Sequence, residues 1–214
     1  MSSILAILTY VAYGFIIGMY TRKVVKYAKM PLHLRWDLYP VIHENRRKYG
    51  GSYYEDLEWW TKPRQKNLIR SIIFILKDNF YLGEYFHRNR GYWLVLFPWH
   101  IGFLLIIGLH ILCFFAALAM LLGVPVSGES ANILGKLIYH SILITGVSSF
   151  VAGSFGSVGM FVKRLADRDL RAYASPINYF NYLFLFAVFM SGLCAWYFTD
   201  STFTGYREFW KGLI

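Results

Sequence analysis

Three of the six histidines in this chain, His100, His110 and His140, lie in long stretches free of charged side chains. Two of them bound the apolar segment WHIGFLLIIGLH, residues 99–110, at a spacing of ten. An imidazole in hydrocarbon is costly unless it is hydrogen-bonded or bound to a metal. Such residues therefore point to iron ligation, a proton path or an ion site. Ten residues of helix rise about 15 Å and turn the second side chain about 80° from the first, so His100 and His110 cannot hold one small ion together. They lie at two depths, as two haems stacked across a membrane require. His140, counted from the far end of a following antiparallel helix, falls at nearly the depth of His110. The spacing predicts a bis-histidine b-type haem between His110 and His140.

These histidines need spans to carry them. The 214 residues are 57% hydrophobic and only 16% charged, and charge-free runs cover 1–21, 91–128, 137–162 and 172–199. Each run can cross about 30 Å of hydrocarbon at about 1.5 Å per residue. The predicted spans are 4–21, 92–122, 131–162 and 178–199. No basic stretch precedes the first and Thr21-Arg22-Lys23 ends it, so it reads as a retained helix and not a leader. Segment 22–90 holds 15 of the 22 Lys and Arg, 163–171 holds four, and 123–135 holds none. By the positive-inside rule both termini are expected outside and 22–90 in the cytoplasm. The net charge of +10 is thus read as topology, with no nucleic-acid partner. The expected fold is all-α: one integral membrane four-helix bundle over residues 1–214, with a cytoplasmic insertion (24–90) between helices 1 and 2 and a periplasmic tail (200–214).

The insertion is broken by Pro31, Pro40, Gly50-Gly51 and Pro63 yet is rich in Trp and Tyr. Aromatic residues beside Arg, in a segment too short for its own core, suit an interface that docks a partner. QKNLIRSIIFILKDNF, 65–80, has an apolar centre too short to span and reads as a helix lying in the cytoplasmic interface. The third span carries Gly146, Gly153, Gly156 and Gly159 with Ser148, Ser149, Ser154 and Ser157. Small residues admit either a neighbouring helix or a flat macrocycle. Cys113 and Cys194 read as small buried hydrophobes, and no CxxCH or cysteine cluster is present for covalent haem or an iron–sulfur centre.

HIGFLLIIGLH resembles the second helix of the gamma subunit of respiratory nitrate reductases, a membrane di-haem cytochrome b. There the same histidine pair supplies one axial ligand to each haem. TYVAYGFIIGMYTRK resembles that family's first helix. ITGVSSFVAGSFGSVGMFVKRLADRDLRAYASPINYFNYLFLF resembles its third helix, basic loop and fourth helix. RWDLYPVIHE and GGSYYEDLEWWTKPR look like the related cytochrome b subunits of Hmc- and Tmc-type transmembrane redox complexes of sulfate-reducing bacteria. The chain departs from the nitrate-reductase family in lacking a fifth span, which there carries both remaining haem ligands. His140 is expected to substitute at the outer haem. His100 would take its partner from His33, His43 or His87, or from another subunit.

The resemblance implies an electron conduit in a bacterial inner membrane: a subunit of an oxidoreductase complex, not catalytic alone, with haem b (one or two) and menaquinone as substrate. Expected partners are an iron–sulfur (heterodisulfide-reductase-like) subunit on the cytoplasmic side, with a multihaem cytochrome c and other membrane subunits on the periplasmic side. Arg22, Lys23, Arg88 and Arg90 are candidate propionate contacts, and Lys136 is a candidate quinone contact. Two rival readings use the same residues. One is a haem-free scaffold subunit of such a complex. The other is a proton or ion pathway through His100, His110 and His140, which the absence of Asp and Glu from the spans weakens.

Overall fold

The long helices follow from apolar runs and the residues that flank them. The computed structural model describes residues 3–29, 57–58, 61 and 68–214, which are mostly helical with no strand among them. The chain divides into two compact units, residues 1–83 and 84–214.

The first unit contains α1 (Ser3–Ala28) and α2 (Leu68–Tyr81), with α3 (Gly83–Arg88) starting at its boundary. None of the α1 residues is buried, and Ile4, Val11, Phe15, Ile17 and Tyr20 are all exposed, as a lipid-facing helix requires. Thr9 meets its hydroxyl's need within the helix by donating to the Leu5 carbonyl at 2.8 Å. α2 overlaps all but the first three residues of the segment 65–80 expected to be a short interfacial helix and ends one residue beyond it. Its 14 residues extend about 21 Å, less than a bilayer core. His33, His43 and most of the aromatic insertion lie outside the described residues.

The second unit is built on α4 (Arg90–Leu121), α5 (Ile133–Ala166) and α7 (Pro176–Phe198), with the short α6 (Arg168–Ala172) after α5 and α8 (Thr204–Lys211) at the end. With α1, the three long helices make four that are long and apolar enough to cross a membrane, as a multi-pass membrane protein needs. α1 continues to Ala28, past the expected end of its apolar run at residue 21. The limits of the other three agree with the predicted spans to within about four residues, because a helix can outlast the apolar stretch that it carries. Asn89 caps α4 by accepting from Tyr92 N at 3.0 Å. Asn132 caps α5 by accepting from Leu134 N and Gly135 N. Asp167 ends α5 and caps α6.

α5 lies between α4 and α7, and its glycines make this possible. A Cβ at Gly156 would come within 2.1 Å of Trp99 N, and one at Gly159 within 2.6 Å of Val95 Cγ1. Gly102 meets Gly153 backbone to backbone, and Ser149 Oγ donates to the Gly102 carbonyl at 3.0 Å. On the other side Gly153 takes the Phe189 ring, and Gly192 of α7 takes Phe150. Of the two uses that the sequence left open for these small residues, each of those named here is filled by a neighbouring helix.

The same contacts set the register. Trp99 is level with Gly156, Gly102 with Gly153 and Gly108 with Thr145, while Phe161 meets Tyr179 and Phe150 meets Gly192. α7 therefore starts level with the end of α5 but stops near Ile144, well short of the other end of α4 and α5. α8 occupies the remaining length against α4. The segment expected as a periplasmic tail, 200–214, thus contains a helix docked on the bundle.

Candidate functional site

Where α7 stops, α4 presents His110. Its ring is half-buried, and Nδ1 lies 2.7 Å from the Ile106 carbonyl one turn back. A carbonyl oxygen can only accept, so Nδ1 is assigned as the donor, and a neutral ring would keep its lone pair on Nε2. His140 on α5 repeats this with Lys136 O at 2.8 Å. Metal-ligating histidines commonly donate the second ring N–H in this manner, which fixes both tautomer and ring orientation. By the α4–α5 register His110 is level with about Ile144. His140 lies one turn beyond, about 6 Å along the axis.

The surroundings of the two rings differ. His110 meets Tyr206 and Trp210 of α8 edge-on, at 6.0 Å and 6.1 Å between centroids. His140 is exposed and meets its neighbour Tyr139 edge-on at 5.2 Å. Tyr139 in turn lies under the Arg207 guanidinium of α8, 5.3 Å away. α8 thus touches the surroundings of both histidines.

α8 is held firmly. Asp200 accepts from Thr204 N at 2.8 Å and from Tyr206 N at 3.1 Å, and Trp196 Nε1 donates to Ser201 O. Phe203, only 5% exposed, fills the notch at Gly146, where a Cβ would meet its ring at 2.5 Å. It does so with φ +54°, a left-handed backbone that costs a phenylalanine about 1–2 kcal/mol. Arg207, 3% exposed, donates to Thr202 O at 2.6 Å and Thr204 Oγ1 at 3.1 Å. Burial lowers the Arg207 pKa from the ordinary arginine value, and Cys113, Asp200 and Tyr139 oppose that shift.

The other candidates are dispersed. His100 is half-buried, one helical step from Trp99 and about 15 Å along α4 from His110. His87 is exposed in the last turn of α3, edge-on to Phe86, and Arg88 follows it. Arg90 lies over Phe86 at 5.0 Å, and Lys23 lies over Tyr27 in α1. Arg22 is exposed on α1, and Lys136 is exposed one turn before His140. Among the described residues no three His, Cys, Asp or Glu converge, so these residues build no protein-only ion cage.

Comparison with protein-family models, with curated proteins and with solved structures found no match. Residues Tyr206, Arg207 and Trp210 were not singled out by sequence reasoning. Their signal was present in GYREFWKG, where Tyr206 and Trp210 are four apart on one helical face.

Proposed function

We propose that the chain is the membrane-anchoring cytochrome b-type subunit of a respiratory redox complex, passing electrons between the menaquinone pool and haem or iron–sulfur partner subunits. The observation that carries this reading is the shared hydrogen-bond pattern of His110 and His140, Nδ1–H to the carbonyl one turn back, on packed helices one turn apart in depth. Two such imidazoles are suited to hold a b-type haem, which when bound would supply one-electron transfer. In this role His110 and His140 offer Nε2. The carbonyls of Ile106 and Lys136 hold the rings, and the Gly102–Gly153 contact keeps α4 against α5. His100 is the candidate ligand for a second haem, with its partner in the insertion or in another subunit. Lys136, exposed beside His140, is the candidate quinone contact. The insertion 24–90 is the proposed dock for the iron–sulfur subunit.

A haem-free scaffold is the second reading. It is favoured by the filling of the α5 glycines with Trp99, Val95, Phe189 and Phe203. A reduced-minus-oxidised absorption spectrum of the intact complex, with haem quantified per chain, separates the two. The cytochrome reading expects a b-type alpha band from which His110→Ala removes the share of one haem. A complex without that band, or one that keeps it in full after the substitution, supports the scaffold.

A further inference from the structure

The end of the chain bears on His110 in a way that neither the spacing of histidines nor the resemblance implies. α7 stops level with His110, and the next helix turns back onto α4 with two aromatic rings one turn apart. Both rings meet the imidazole edge-on at the same angle, 86°. Trp210 also meets Phe114, one turn further along α4, at 6.3 Å. Edge-to-face contacts are directional, since the positive ring edge seeks the negative face, and two of them leave an imidazole little freedom to turn. The Ile106 carbonyl fixes the same ring from within its own helix. Three restraints from two elements therefore converge on one side chain. The strap that brings the aromatic pair is itself anchored at Gly146 by Phe203 and at Tyr139 by Arg207. His140, in contrast, is exposed, and its edge-on contact is with a ring of its own helix.

We infer that Tyr206 and Trp210 are positioning residues for His110, and that α8 is the wall which orients this imidazole and limits approach to it. The inference rests on the reading of His110 as a haem ligand, but one arm of its test does not need haem. In the intact complex, Tyr206→Ala and Trp210→Ala are compared with Tyr206→Phe and Trp210→Leu. The first readout, taken on complex stripped of haem so that iron does not mask the imidazole, is the modification rate of His110 by diethylpyrocarbonate, located by mass spectrometry, with His140 as internal reference. The second is the position of the alpha band and the midpoint potential at unchanged haem content.

The alanine variants are expected to raise the His110 rate about tenfold relative to His140, as for loss of a packed aromatic pair, and to shift band and potential. Tyr206→Phe, which keeps the ring, should restore both readouts. Trp210→Leu, which keeps apolar volume without a ring, should restore folding but neither readout. Unchanged His110 reactivity in both alanine variants overturns the inference, whatever the haem content. A wild-type complex without haem defeats the proposed function, while a reactivity difference still upholds α8 as the wall around His110. Haem present with unaltered spectra and reactivity removes the role of α8 and leaves the cytochrome reading intact.

Discussion

Gly102 of α4 and Gly153 of α5 touch through their backbones. A Cβ on Gly102 would lie 2.6 Å from both Cα and N of Gly153, with Ser149 donating to the Gly102 carbonyl beside them. Gly102→Ala is therefore expected to force the helices apart at a cost of about 1–3 kcal/mol or more. Ser149→Ala, which removes only the interhelical hydrogen bond, should cost about 0.6 kcal/mol. Unfolding free energies in mixed micelles rank the two, and a larger effect for Ser149→Ala would contradict the contact.

Phe203 and Gly146 fit each other, so their substitutions should couple. Phe203→Ala vacates a buried ring site and is expected to cost about 3–5 kcal/mol. Gly146→Ala alone collides with that ring. In the double variant the collision is gone. The two effects should then fall short of additivity by about 1 kcal/mol or more in a double-mutant cycle. Strict additivity would mean that the ring and the notch do not meet.

Arg207 anchors α8 through a fork that lysine cannot copy, one arm on Thr202 O and one on Thr204 Oγ1. Hydrogen bonds to a charged group are worth about 1.5–3 kcal/mol each. Arg207→Lys and Arg207→Ala should both loosen the strap. Limited proteolysis of residues 199–203 is the measurement, and cleavage should become faster in both variants. Equal protection of all three proteins would show that Arg207 does not hold the strap.

Asp167 closes α5 and opens α6 by accepting from Leu170 N and Asp169 N, with Lys163 3.6 Å away. The Leu170 amide first, then the Asp169 amide and Lys163, hold its carboxyl below the usual carboxylate range. The cap is therefore at full strength above the unfolded carboxyl value and is lost as pH falls through the lower folded value. Protection of the Asp169 and Leu170 amides, corrected for intrinsic exchange, should decline over that acid window. In Asp167→Asn, which keeps an acceptor but cannot titrate, the decline should vanish.

The spans were legible in the sequence because hydrocarbon imposes one requirement on every residue of a run. The apolar pattern therefore marked both ends of α4, α5 and α7 to within about four residues. It missed the last two turns of α1, where Arg22, Lys23 and Lys26 end the apolar run without ending the helix. The register of His110 against His140 was legible only to within one turn, since helical rise is constant but the point where the helices pair is not. The meaning of Gly153 and Gly156 was not, because a missing side chain looks the same whether a helix or a macrocycle fills the space. α8 escaped notice because its charges, Arg207, Glu208 and Lys211, suggest a solvated tail. Only the folded chain reveals that Arg207 is buried and that Tyr206 and Trp210 return to α4.

The early end of α7 bears on how the bundle meets its lipid. α7 has 23 residues and extends about 34 Å, close to one hydrocarbon thickness, while the 32 residues of α4 extend about 48 Å. One bilayer cannot match both lengths, and mismatch is met by tilt, local thickening or a change of surface. On the flank where α7 is missing, a film matched to α7 leaves roughly the last ten residues of α4 overhanging it. α8 roofs that overhang, with Glu208 exposed and its aromatic residues turned inward. His110 would then stand near the rim of the hydrocarbon instead of its middle, with α8 as the cover between it and the membrane surface.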